Sequence, residues 1–190
     1  MAIKFVCSQV TEVFSLTEIP FGEFLSLAVT TFFTLLPPIF YYREKYSYLE
    51  ISGGGNVYII SAAGFVLCVA VNFILGWLYD RLGIHTNTQT KLFTDGYGLI
   101  LAVVVVGILP AVLEEILFRR YIMAVLYESV GKSAVFISAV VFGMVHSGFS
   151  GMTFAFVCGL ILGEVFLRTG CLRAVIIVHM LYNIVVLFSV

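Results

Sequence analysis

The sequence predicts an all-α fold, a polytopic transmembrane bundle of about six membrane segments enclosing a polar cavity. Three observations predict it. The 190-residue chain is 61% hydrophobic and only 11% charged, with a mean hydropathy of +1.10, whereas soluble domains run near half apolar and about a quarter charged. Its apolar residues gather into runs approaching the roughly 20-residue helix that crosses a hydrocarbon core. The few polar groups inside the later runs fall into three clusters: Glu114 and Glu115 with Arg119, Phe142 with His146, and His179 with Asn183. Charged and imidazole groups at membrane depth are expensive, and persist mainly where they pair, line a wet cavity or do chemistry.

The elements follow in order. The first twenty residues carry Lys4, Glu12 and Glu18 and lack a continuous apolar core, so they predict a short interfacial helix rather than a signal peptide. Residues 21–42 form the first span, kinked or ended by Pro37 and Pro38 and closed by Arg43, Glu44 and Lys45. A glycine-rich turn at 52–56 leads to a second span at 57–79, stopped by Asp80 and Arg81. The polar stretch 81–95 is the longest loop. Residues 96–128 would make one helix of roughly 50 Å, too long for an upright span. Pro110 therefore predicts a break, with a span ending near Leu113 and a second helical piece over 114–126. Spans at 133–146 and 152–167 are joined by a loop at 147–151, and the last span is 172–190. No soluble stretch is long enough to bury its own core, so residues 1–190 read as a single membrane domain.

Charge and cysteine usage exclude some functions. A net charge of -1 with no basic run gives no face for nucleic acid. Cys7, Cys68, Cys158 and Cys171 form no CxxC pair and read as small hydrophobes. With strictly alternating spans, Arg43, Lys45, Arg119, Arg120, Lys132, Arg168 and Arg173 share one side, which the positive-inside rule makes cytoplasmic, unless Arg119 serves a site instead. Lys4, Arg81 and Lys91 take the other side. No internal symmetry of the kind found in small transporters is visible.

Each cluster has a chemical and a bland reading. Glu115 and Arg119 are four apart and share a helical face, where a guanidinium keeps a buried carboxylate ionised. Glu114 is rotated by about 100° from Glu115 and is free to act as a base. The bland reading is an interfacial charge cluster. Phe142 sits one turn before His146 on the same face, and a lone histidine near a helix end is commonly a packed, hydrogen-bonded residue. His179 and Asn183, also one turn apart, suit a pair of oxyanion donors; the alternative is interhelical hydrogen-bonding glue, worth about 0.6 kcal/mol on average. Together the clusters suit water activation beside a polarised carbonyl. Ser147 is a weaker nucleophile candidate, and Cys158 lacks a flanking charge to activate it. A zinc site using Glu and two His is also chemically possible, although no HExxH occurs; a metal-free glutamate mechanism uses the same groups without requiring a cofactor.

EEILFR, FGMVH and HMLYN resemble, in order and spacing, the EExxxR, FxxxH and HxxxN/B motifs of the type II CAAX prenyl endopeptidases. This is also called the CPBP or Abi family, and it includes bacteriocin self-immunity proteins. The resemblance covers residues 96–190, which it marks as the catalytic core. It implies membrane helices around a water-filled cavity and a peptide or membrane-protein substrate, possibly lipidated, met at the lipid bilayer. It assigns Glu114 and His146 to activating water, His179 and Asn183 to holding the oxyanion, and Glu115 with Arg119 to a supporting ion pair. The compact chain is more similar to the bacterial and archaeal branch than to the longer eukaryotic enzymes, which implies a multi-pass protein of a prokaryotic cell membrane. A non-catalytic immunity or partner-binding protein of the same family is the alternative. Strict alternation would leave His146 drifting away from Glu114 and His179, so the site also predicts that the helix carrying Glu114 bends or tilts at Pro110.

Overall fold

The computed structural model describes residues 33, 35–41, 54–84 and 97–188. The expected interfacial helix, most of the first span, Cys7, the 43–45 charge cluster and most of the 81–95 loop lie outside the described residues. Among the described residues the fold is helical, with no strand. We label the helices α1 (residues 35–41), α2 (Val57–Arg81), α3 (residues 97–130), α4 (Ala134–Met144), α5 (Gly148–Thr169) and α6 (Leu172–Phe188).

Asn56 starts α2, its side-chain oxygen accepting the backbone N–H groups of Tyr58 at 3.1 Å and Ile59 at 3.2 Å. Only Gly64, Cys68 and Tyr79 of α2 are buried; much of the rest presents apolar side chains outward, as a lipid-facing helix must. It runs antiparallel to α5. At one end the Gly55 N–H donates to the Arg168 carbonyl at 3.0 Å. At the other, Tyr79 packs edge-on against Phe154 with ring centroids 5.5 Å apart. Gly64 permits the approach, since a Cβ there would lie 2.5 Å from Val165 Cγ2.

The expected break at Pro110 does not occur. Five segments, Tyr97–Ala102, Val103–Ile108, Leu109–Glu115, Ile116–Met123 and Ala124–Val130, continue one another as α3. Two of them, Val103–Ile108 and Ile116–Met123, are wound as π-helix. The looser i→i+5 register absorbs the proline without ending the helix. The loop expected at 147–151 is also corrected, because α5 already begins at Gly148 after Ser147 in extended conformation.

What brings the motifs together is the brevity of α4. Gly131, at φ 57°, turns the chain, and α4 folds back on α3: Ser138 Oγ donates to the Phe118 carbonyl at 3.3 Å. With 11 residues, α4 is about 16 Å long, half a hydrocarbon core. It is too short to cross, and it delivers His146 against Phe142 instead of to the end of a full span. Helices α4 and α5 then pack through small residues, as membrane helices do where close approach replaces the hydrophobic effect. A Cβ on Gly143 would stand 2.9 Å from the Met152 carbonyl, and one on Gly159 would stand 3.2 Å from Ala139.

Among the described residues, three stretches are long and apolar enough to cross a membrane: Val57–Arg81, Leu99–Met144 and Gly148–Thr169. The second folds back at Gly131, and α6 is a shorter apolar helix. The expected count of about six rests partly on residues 21–42, most of which lie outside the described set.

Candidate active site

The site is built on α3. Glu115 and Arg119 are completely buried, with Arg119 Nε 3.0 Å from Glu115 Oε2. That contact is an ion pair rather than an aligned hydrogen bond, because neither atom has a partner of hydrogen-bond geometry among the described residues. Arg119 Nη2 also donates to the Gly159 carbonyl at 3.4 Å. Arg119 thus belongs to the interior and drops out of the set that orients the chain in the membrane.

The other carboxylate oxygen, Glu115 Oε1, lies 2.8 Å from His179 Nδ1 on α6. A carboxylate only accepts, so Nδ1 carries the proton. The opposite ring nitrogen, Nε2, then stands 3.9 Å from Glu114 Oε2. The two glutamates divide as their 100° offset predicts. Glu115 lies between Arg119 and His179, whereas Glu114 retains partial exposure, 17% of its side chain.

Phe142 joins the second motif to the other two. Its ring, 2% exposed, receives the Arg119 guanidinium at 4.9 Å, an arrangement stabilised by the ring quadrupole. The same ring packs edge-on against Phe118 at 4.9 Å, His146 at 4.7 Å and His179 at 6.0 Å. His146 Nδ1 donates to the Phe142 carbonyl at 2.8 Å. This fixes the protonated nitrogen of a neutral ring and leaves Nε2 as the acceptor.

His146, His179 and Asn183 line one cavity of about 620 Å³. Asn183 Nδ2 is engaged with α3, donating to the carbonyls of Val106 and Gly107 at 3.4 Å each. No direct hydrogen bond joins Glu114 to His146 among the described residues, and Ser147 lines the cavity without bonding to His146. Among the described residues no three His, Cys, Asp or Glu side chains are grouped to hold a metal ion. Cys68, Cys158 and Cys171 are free thiols.

Two cavity residues escaped the sequence reading. Tyr182 Oη donates to Asn72 Oδ1 at 3.3 Å across the α6–α2 contact, and both line the cavity. Their signal was present: Asn72 is the lone amide in the apolar run 57–79.

No curated protein and no solved structure matches the chain. A family model described as "Type II CAAX prenyl endopeptidase Rce1-like" matches residues 96–185, a stretch that contains every residue of the three motifs. Residues 96–185 are thus similar to the Rce1-like type II CAAX prenyl endopeptidases, a protease family.

Proposed function

We propose that the protein is an intramembrane endopeptidase that hydrolyses a peptide bond of a membrane-associated substrate with water activated by Glu114 and His146. The observation that carries this reading is the Glu115–His179 hydrogen bond of 2.8 Å. It ties the first motif to the third, directly against the Phe142 ring of the second.

In this reading Glu114 is the base. It takes a proton from water while His146, whose free Nε2 is an acceptor, orients the same water. The water oxygen bonds to the carbonyl carbon, and the carbonyl oxygen becomes an oxyanion. His179 Nε2 and Asn183 Nδ2 donate to it. To donate through Nε2 while Nδ1 donates to Glu115, His179 must carry both ring protons, and the two glutamates supply the countercharge. The C–N bond then breaks, the amine taking the proton held by Glu114. Glu115 and Arg119 touch no reacting atom; they orient His179. The substrate class is a peptide segment at the bilayer, and the family resemblance adds a lipidated cysteine as a candidate feature.

We prefer metal-free chemistry, since Glu114, His146 and His179 suffice for these proton transfers. The partner-binding immunity alternative is not favoured, because the matching family is one of endopeptidases. The test is cleavage of a membrane-presented peptide library by purified protein in detergent, with and without chelator, for wild type and His179→Ala. We expect turnover that survives chelator and falls by about 10²–10³-fold in His179→Ala. Turnover abolished by chelator would replace the metal-free mechanism with a zinc one; wild-type protein that cleaves nothing would remove the peptidase reading.

A further inference from the structure

Resting on that reading, we infer that Pro110 is a positioning residue for Asn183. In the α-register the N–H of residue 110 would take the carbonyl of residue 106, and in the π-register that of residue 105. Proline has no N–H, and inside a membrane a carbonyl so freed must find another donor. Upstream, the chain is wound as π-helix over Val103–Ile108, with the Leu109 N–H reaching back five residues to the Val104 carbonyl. With Leu109 so engaged, no N–H at 110, and α-turns resuming from Leu109, the carbonyls of Val105, Val106 and Gly107 share one helix donor, the Ala111 N–H. Asn183 Nδ2 meets two of them, Val106 and Gly107.

Three features cooperate. Pro110 leaves this stretch of carbonyls one donor short. Gly107 lets α6 approach, since a Cβ there would lie 3.1 Å from Ile184 Cγ1, the residue beside Asn183. Asn183 supplies the donor, equidistant at 3.4 Å from the carbonyls of Val106 and Gly107. Two equal contacts suit one shared, three-centre N–H. The amide carries a second N–H, and its plane is then held from behind by the backbone of α3 while the side chain lines the cavity. A proline within an otherwise continuous helix thus becomes the anchor of an oxyanion donor four residues ahead of Glu114. Replacing it with alanine restores a backbone donor to this stretch of α3, so that its carbonyls no longer depend on Asn183 and the amide is left free to rotate.

The experiment is a double-mutant cycle of Pro110→Ala and Asn183→Ala, with kcat and KM measured on a cleaved peptide in detergent and melting temperature recorded for each protein. Pro110→Ala is expected to lower kcat by about tenfold, with KM within about twofold. In the Asn183→Ala background it should lower kcat no further. An equal loss in both backgrounds, or no loss in either, overturns the inference. A second readout stands apart from activity: the side-chain N–H resonances of [15N]asparagine-labelled protein, with Asn183 identified by its absence from the Asn183→Ala spectrum. Pro110→Ala should shift them and speed their exchange with solvent. If wild type cleaves nothing, the peptidase reading fails, and these resonances alone judge the anchor; their invariance overturns it.

Discussion

At the residue scale, the same types of side chain take opposite roles according to what surrounds them. Glu114 and Glu115 are adjacent and chemically identical, yet one is enclosed between Arg119 and His179 and the other faces His179 Nε2 at 3.9 Å. Two predictions separate structural from chemical loss. Arg119→Met leaves Glu115 buried without its guanidinium and should cost about 3–5 kcal/mol, read as a lowered melting midpoint in detergent. Adding Glu115→Leu should recover most of that stability, because a buried ion pair replaced as a unit by apolar groups is nearly neutral. It should not recover turnover, since His179 then lacks its acceptor. A double variant as unstable as the single one would contradict this. Phe142→Ala should cost about 3–5 kcal/mol by removing the ring that separates Arg119, His146 and His179. The 3.6-residue period was enough to place Glu115 with Arg119 and to free Glu114. It gave no account of Phe142 beyond a shared face with His146, because the ring's role depends on contacts with two other helices, α3 and α6.

At the scale of elements, α4 is the piece that decides whether the motifs meet. Its brevity was legible as a 14-residue apolar run at 133–146, but its consequence was not drawn, since strict alternation treated it as a full crossing. The predicted break at Pro110 was the opposite case. Proline does remove a backbone donor, but a π-wound turn carries the helix past it. Asn183, 77 residues away from Val106, adds a donor from α6, a long-range partner that local rules do not supply. The α4–α5 contact makes a further test. Gly143→Ala would press a Cβ to 2.9 Å from the Met152 carbonyl and 3.0 Å from Phe156 Cβ, neither of them a flexible tip. It should destabilise the protein by about 1–3 kcal/mol and disturb His146, three residues on. Gly76→Ala on the cavity side of α2, where a Cβ would meet nothing within 4 Å, should instead stabilise by about 0.5–1 kcal/mol. Thermal melts of both variants in one detergent decide the contrast; equal effects would contradict the packing account.

At the scale of the whole molecule, the buried charge among the described residues gathers at one place, where α3 and α6 meet behind Phe142. Fold class was legible from composition, and the six candidate residues stood out because membrane depth penalises every polar group that has no task. The cavity's α2 wall was less so: Asn72 stands alone in its run and has no neighbour in sequence to mark it, and its partner Tyr182 is 110 residues away. The central claim is that one hydrolytic site forms where the three motifs converge, with Glu114 as its base. The most direct measurement is the single-turnover cleavage rate of wild type and Glu114→Gln on the same membrane-presented peptide, with melting midpoints recorded alongside. Glutamine keeps the size and removes the base, so we predict a rate lower by about 10²–10⁴-fold at an unchanged midpoint. Undiminished cleavage by folded Glu114→Gln would contradict the account.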